Sequence, residues 1–110
     1  MNVWYHVRDL DAACDFYTAK LGFTETFVDR DGRWARLEHG VTEVGLAEGE
    51  PDDGGVAHVD VQDVKREAER LRDAGVRTGV VFELHGEMRL LDVFDPDGNR
   101  IQLAQELPGR

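Results

Sequence analysis

The sequence predicts an α+β fold made of two βαβββ modules, and three observations indicate it. The two halves of the chain follow one plan when Asp9 is laid on Asp63, because Gly22 then meets Gly75 after a one-residue gap. Each aspartate follows a short alternating run of apolar and polar residues and precedes an apolar stripe at helical spacing. Three short strand-like segments follow each glycine. Self-similarity of this kind is typical of a duplicated structural unit.

The duplication divides the chain into two modules within a single domain, residues 1–110. We expect module 1 over residues 1–48, a linker over 49–55 and module 2 over 56–110. The linker sequence, GEPDDGG, contains one proline, two aspartates and three glycines, which is typical of a connecting segment. Neither module could bury a sheet face alone, so the two are expected to join, either within one chain or across a dimer.

The helices are predicted from their apolar stripes and from the residues that flank them. The first is expected over about residues 10–21 and the second over about 64–74. Asp9 and Asp63 are predicted N-caps, because a carboxylate at that position accepts a hydrogen bond from unpaired first-turn amides.

Eight strands complete the predicted elements, and turns separate them. The predicted strands are 3–7, 23–28, 34–38 and 43–47 in module 1, and 57–61, 77–82, 89–94 and 100–104 in module 2. The turns between them are Asp31-Gly32, His39-Gly40, His85-Gly86 and Asp97-Gly98.

The composition indicates a soluble protein with a strongly acidic surface. Charged residues make up 33% of the chain, and the formal net charge is −10. Such a surface repels phosphate backbones and anionic lipids, so neither nucleic acid nor membrane is an expected partner. It would attract a cationic ligand. The alternative explanation is that the charge only keeps the protein soluble. Cys14 is the only cysteine, and with no secretory signal pattern it favours a cytoplasmic location.

Two segments carry a family resemblance. DLDAACDFYTAKLGF (9–23), followed by FDPDGNRIQL (94–103), resembles the vicinal oxygen chelate superfamily, which includes glyoxalase I, extradiol dioxygenases, fosfomycin-resistance enzymes and bleomycin-resistance proteins. The likeness covers nearly the whole chain in the right order. It implies the glyoxalase/bleomycin resistance fold, in which the two modules form a curved, barrel-like mixed sheet around a cleft and each sheet carries its helix on the face away from the cleft.

In that fold, strand alternation decides which side chains face the cleft. If Val3, Tyr5 and Val7 pack against the helix, Trp4 and His6 point the other way. The same rule turns aromatic, acidic and amide side chains inward on the other strands. The predicted ligand-binding residues are Trp4, His6, Trp34, Glu38, Glu43, His58, Asp60, Asp92, Phe94 and Gln102.

The metal site of the enzymatic members is expected to be missing. By motif, the four ligand positions of those members fall on Asn2, Gly45, Val56 and Gln102. Glycine and valine side chains have no donor atom, and a neutral amide is a poor ligand for a divalent transition metal. We therefore expect no cofactor.

Two further interpretations of the inward histidines and carboxylates stay open. One is a displaced divalent metal site, and the other is a set of cleft-lining residues that bind no metal. The residues concerned are His6, His58, Glu43 and Asp60.

Without a metal, the predicted cleft suits a flat or cationic small molecule, because aromatic faces attract rings and cations, and carboxylates add Coulomb attraction. The layout of LGFTETFVDRDGRWARL (21–37) and FDPDGNRIQLAQEL (94–107) resembles the bleomycin-resistance branch, whose members are metal-free acidic dimers. The resemblance implies a homodimer that confers resistance by sequestering a hydrophobic or cationic drug or metabolite.

Enzymatic alternatives also remain at this stage. One is a metal-dependent lyase, isomerase or dioxygenase with rearranged ligands. Another is a metal-free enzyme with His6 or His58 as general base beside Asp60. Trp4 and Trp34 could also fill the core or a dimer interface without contacting a ligand.

Overall fold

The computed structural model of the chain describes residues 2–52 and 55–108. Module 1 consists of β1 (Asn2–Val7), α1 (Leu10–Ala19), β2 (Thr24–Asp29), β3 (Trp34–His39) and β4 (Thr42–Glu48). Module 2 consists of β5 (Ala57–Asp60), α2 (Val64–Asp73), β6 (Arg77–Thr78), β7 (Phe82–Leu84), β8 (Met88–Phe94) and β9 (Arg100–Glu106). The architecture is the predicted α+β duplication.

Each module forms one mixed sheet in which the first strand runs parallel to the last. Sheet 1 has the order β1-β4-β3-β2, and sheet 2 has the order β5-β9-β8-β6, with β7 also paired to β8. The pairs β1–β4 and β5–β9 are parallel, and the others are antiparallel. The sheets are not closed into a barrel.

Both helices begin at the predicted caps. An oxygen of Asp9 accepts a hydrogen bond from the amide of Ala12 at 3.1 Å, and an oxygen of Asp63 accepts one from Arg66 at 3.0 Å. α1 ends at Ala19, two residues before the predicted end, and α2 ends at Asp73. The caps supply partners for amides that have none within the helix.

The core lies on the helix-facing side of the two sheets. Val3, Tyr5 and Val7 are buried, whereas Trp4 between them is 48% exposed. Buried and exposed residues also alternate in β3 and β5, and buried and half-buried residues alternate in the second half of β8. One continuous cluster contains buried residues of both modules, so the modules share a core. The predicted facing of these strands is confirmed, and burial of each large apolar side chain contributes about 1.5–3 kcal/mol.

A buried polar network joins the two modules at the turn between β8 and β9. Asp95 is only 5% exposed, and its carboxylate accepts a hydrogen bond from the hydroxyl of Tyr17 on α1 at 2.9 Å. The side-chain amide of Asn99 donates to that carboxylate at 2.9 Å and to the carbonyl of His6 on β1 at 3.0 Å. Burial, followed by the nearby Asp95 carboxylate, raises the pKa of Tyr17 well above its usual range.

Tyr5 forms a second bridge between the modules. Its hydroxyl accepts a hydrogen bond from the amide of Ala57 at 2.8 Å and donates to the carbonyl of Arg100. Burial is the main reason that the pKa of Tyr5 rises to about 12. The hydroxyl therefore stays protonated at neutral pH and links β1 to β5 and β9.

The predicted strand over residues 77–82 is wrong in one respect, because the structure divides it into β6 and β7. The break lies at Gly79, whose amide donates to the carbonyl of Asp92 at 2.8 Å and whose carbonyl accepts from the guanidinium of Arg72 at 3.0 Å. Between Thr78, which pairs with Val93, and Phe82, which pairs with Leu90, the register against β8 shifts by one residue, and this shift interrupts the strand.

Candidate functional site

The face of sheet 1 opposite α1 carries a cluster of three aromatic rings, which we name the aromatic wall: Trp4, Phe27 and Trp34. The ring centroids of Trp4 and Trp34 lie 5.5 Å apart, and those of Phe27 and Trp34 lie 4.9 Å apart. Trp4 is 48% exposed and Phe27 43% exposed. Large apolar side chains that are exposed next to each other are typical of a surface that binds a ligand or another protein.

Sequence reasoning missed Phe27 because a β-bulge changes the alternation in β2. Glu25 pairs with Leu37, a buried residue on the helix side, but Phe27 pairs with Arg36 on the opposite face. The extra residue between them, Thr26, reverses the facing of the strand. Strict alternation from the buried Phe23 would have placed Phe27 on the helix side.

Trp4 lies directly over the backbone of β4. It is the register partner of Gly45, and a Cβ built at Gly45 would lie 2.4 Å from Cε3 of the indole. Real Cβ atoms essentially never approach another atom so closely. The indole therefore occupies the space that a side chain at position 45 would need.

Two carboxylates lie beside the aromatic wall. Glu38 on β3 and Glu43 on β4 are direct register partners on the exposed face of sheet 1. Among the side chains that the structure describes, neither takes part in an ion pair. Two like charges placed opposite each other repel, and a bound cation would relieve that repulsion.

The exposed face of sheet 2 is more nearly neutral. The amide of Gln102 donates to Asp92 at 3.2 Å, and the guanidinium of Arg100 approaches the other oxygen of that carboxylate at 3.4 Å. His58 is the register partner of Gln102. The amide at position 102 thus serves as a donor to a carboxylate.

The ring of Phe94 already has a cationic neighbour. The guanidinium of Arg77 lies 4.3 Å from the ring centroid, within the range of a cation–π contact. One face of this ring is therefore covered. Phe94 lies on the predicted face of sheet 2. The aromatic wall on sheet 1 has a similar neighbour, since the guanidinium of Arg36 lies 5.9 Å from the ring centroid of Phe27.

The predicted ligand-binding residues fall into two groups on different sheets. Four form the sheet 1 group with the aromatic wall, and five form the sheet 2 group. Within the described chain, no hydrogen bond or ring contact joins the side chains of the two groups. The sheet 1 group is Trp4, Trp34, Glu38 and Glu43, and the sheet 2 group is His58, Asp60, Asp92, Phe94 and Gln102.

His6 shares the exposed face of sheet 1, since its register partner Ala47 also pairs with Trp34, but its imidazole is paired with the linker. It lies on β1, and its Nδ1 is 3.1 Å from a carboxylate oxygen of Asp52 in the linker. A depression of about 1010 Å³ in the described surface also lies elsewhere. It lies at the end of sheet 2, between the turn at His85 and the end of β9, and includes none of the predicted ligand-binding residues.

A model of the Glyoxalase/Bleomycin resistance protein/Dioxygenase superfamily matches residues 3–103, almost the whole chain. The protein belongs to this superfamily. No curated protein matches the chain. None of the helices that the structure describes is long and apolar enough to cross a membrane.

Several solved structures have the same fold. An integron cassette protein from the mobile metagenome of the Halifax Harbour sewage outfall is 22% identical, with a TM-score of 0.84 and 96% of each chain covered. An antibiotic-binding protein from Streptomyces is 25% identical, with a TM-score of 0.76 over 96% of this chain and 93% of that one. Lactoylglutathione lyase from Agrobacterium tumefaciens is 17% identical, with a TM-score of 0.77 over 96% and 91%.

The residues of this superfamily member do not fit the divalent metal that the fold implies. Gly45 and Val56 have no donor atom, and the indole of Trp4 covers Gly45. The amide of Gln102 is bonded to Asp92, and only the backbone of Asn2 is described.

The residues of the possible displaced metal site, His6, His58, Glu43 and Asp60, are not brought together in the structure either. Across residues 2–52 and 55–108, no three histidine, cysteine or acidic side chains are arranged to hold an ion. His6 lies with Asp52, and Glu43 and His58 lie on different sheets.

Proposed function

We propose that the protein binds a hydrophobic or cationic small molecule, a drug or a metabolite, and removes it from solution without catalysis. The observation that carries the proposal is the aromatic wall, in which Trp4 and Phe27 are exposed and the half-buried Trp34 lies between them. The carboxylates of Glu38 and Glu43 beside it, which form no ion pair with the side chains that the structure describes, would attract a positive charge. The similarity to an antibiotic-binding protein, at 25% identity, supports the same function class.

The proposed binding needs no metal or other cofactor. Stacking on aromatic rings and Coulomb attraction to carboxylates are sufficient for recognition of a flat cation. Of the positions where the superfamily's enzymes hold their metal, Gly45 is here covered by Trp4, Val56 has no donor atom and Gln102 is hydrogen bonded to Asp92. Sequestration then depends only on affinity and on the amount of protein.

We also propose that the binding protein is a homodimer that acts in the cytoplasm. The two groups of candidate residues lie on separate sheets, so a ligand could be held between sheet 1 of one chain and sheet 2 of another. A second copy could place its sheet 2 over sheet 1 of the first, producing two equivalent clefts by two-fold symmetry. Phe82 and Leu84 of β7, which are 44% and 42% exposed, would supply apolar contact area at such an interface. The single buried Cys14 is compatible with a reducing compartment.

The test is equilibrium dialysis of purified protein against 9-aminoacridine, a planar cation, and acridine, its neutral counterpart at neutral pH. We expect saturable binding of the cation and weaker binding of the neutral probe. Trp34→Ala should weaken binding by about tenfold, because it removes the ring shared by both aromatic contacts. The matched control, Trp34→Phe, retains a ring and should lose little.

The absence of saturable binding to either probe would contradict the proposed function. Metal analysis of the same preparation gives a second criterion. About one tightly held divalent ion per chain would favour a metal-dependent lyase, isomerase or dioxygenase over a sequestering protein.

A further inference from the structure

We propose that Gly45 is a positioning residue that makes Trp4 a flat stacking surface, and that the site therefore selects ligands containing a planar aromatic ring system. This inference rests on the proposed function, because it specifies the class of ligand that the same site takes. It assigns a role to a glycine that touches neither a cofactor nor a ligand.

The distances around Gly45 show how the indole lies. A Cβ at this position would be 2.4, 2.5 and 2.6 Å from Cε3, Cδ2 and Cζ3 of Trp4. Three adjacent atoms of the six-membered ring are therefore almost equally close to the strand. A ring standing on its edge would not give equal distances, so the indole lies broadside on β4.

The opposite face of the indole is open. One face of Trp4 rests against Gly45, yet the residue is still 48% exposed. The ring of Trp34 is inclined at 58° to it with a centroid separation of 5.5 Å, so it lines one side of the indole and does not cover it. A ring stacked on Trp4 would thus contact two aromatic groups at once.

This geometry favours planar ligands over saturated ones of the same size. A planar ring can approach the whole open face of the indole at van der Waals distance, and an offset stack adds a favourable quadrupole interaction. A saturated ring has hydrogens above and below its mean plane, which reduce the close contact. The selectivity depends on the indole staying flat, and therefore on position 45 having no side chain.

The requirement for glycine is local to Trp4. Ala47, the next residue of β4 on the same face, has a Cβ and pairs with His6 and Trp34. A methyl group is thus accommodated one step along this face. At position 45 it would force the indole to tilt away from the strand.

The experiment measures dissociation constants by equilibrium dialysis for 9-aminoacridine and for its 1,2,3,4-tetrahydro derivative, in which one ring is saturated. The wild-type protein should prefer the fully planar probe by about tenfold. Gly45→Ala should remove most of that preference. Gly79→Ala is the matched control, because a Cβ there would approach Asp92 only to 3.7 Å, an ordinary contact.

A double-mutant cycle with Trp4→Ala distinguishes positioning from other effects. Trp4→Ala alone should abolish the preference for the planar probe, and Gly45→Ala should have no further effect in that background, where no indole is displaced. Circular dichroism verifies the fold of each variant. Because Trp4→Ala relieves the clash, the double variant remains informative even if Gly45→Ala alone unfolds.

Three results would overturn the inference. The preference for the planar probe could be unchanged in Gly45→Ala, or it could persist in Trp4→Ala. Gly45→Ala could also weaken binding of the planar probe equally with and without Trp4. If the wild type binds both probes equally and Trp34→Ala still weakens binding, the proposed function stands and only the planar selectivity fails. If the wild type binds neither probe, the proposed function fails with it.

Discussion

Single residues decide how the two modules are joined, and Asp95 illustrates this. The sequence DPDGN (95–99) is typical of a turn. The carboxylate of Asp95 accepts hydrogen bonds from the backbone amides of Asp97 and Asn99 within that turn, both at 2.9 Å. The same carboxylate also accepts the hydroxyl of Tyr17, 78 residues away in sequence. A local motif thus serves a long-range contact, which turn propensity alone does not reveal.

We expect Asp95→Ala to destabilise the protein by about 3 kcal/mol, because it leaves the buried Tyr17 hydroxyl and the backbone amide of Asn99 without an acceptor. Tyr17→Phe removes one hydrogen bond only and should cost about 1 kcal/mol. Urea unfolding measures both. Asp31→Ala, at an exposed turn in module 1, is the control and should change stability by less than about 0.5 kcal/mol. Equal effects of Asp95→Ala and Asp31→Ala would show that the network does not stabilise the fold.

At the scale of elements, regular strands were predictable and irregular ones were not. Hydrophobic alternation correctly assigned the faces of β1, β3 and β4, which is why Trp4, Trp34 and Glu38 were expected on one surface. The facing of Phe27 depends on a bulge, and a bulge has no reliable sequence signal.

Other features of the site depend on side-chain contacts that periodicity does not specify. The amide of Gln102 was expected on the exposed face of sheet 2, but its bond to Asp92 and the compensating Arg100 were not. Residues 77–82 were predicted as one strand, because their hydrophobic pattern does not encode the one-residue register shift against β8 that divides them.

The bulge in β2 leads to a test within that strand. Phe27→Ala should weaken binding of 9-aminoacridine by about fivefold, because it removes one ring of the aromatic wall. Glu25→Ala is the matched control, since regular alternation would place Glu25 on the same face as Phe27, whereas the structure places it on the other. Equilibrium dialysis gives both constants. A larger effect of Glu25→Ala than of Phe27→Ala would contradict the placement of the wall.

At the scale of the whole molecule, the shared core and the candidate residues lie on opposite faces of the two sheets. The helix-facing sides of both sheets contribute to one core, so the candidate residues are left on outer surfaces. The chain is elongated, with extents of 51 × 27 × 23 Å. Association of two chains would cover these surfaces, which is the physical basis for the proposed dimer.

We expect sedimentation velocity to give twice the mass of one chain, and the double substitution Phe82→Glu and Leu84→Glu to shift the protein toward monomer. Both side chains are exposed on β7, and added carboxylates would make their burial unfavourable. Lys65→Glu, on the exposed side of α2, controls for added negative charge and should leave the mass unchanged. A wild-type protein that sediments as a monomer at all concentrations would exclude the proposed arrangement.

The polar network between the modules has a consequence for how the covalent chain can be interrupted. Tyr5, Tyr17 and Asn99 bind groups of the opposite module, and the continuous core adds apolar contact across the same boundary. The peptide connection at 49–55 is therefore not what keeps the halves in register. Two separately expressed fragments, divided in that segment, would be suited to reassociate by complementation, and a proteolytic nick there would leave the native arrangement intact.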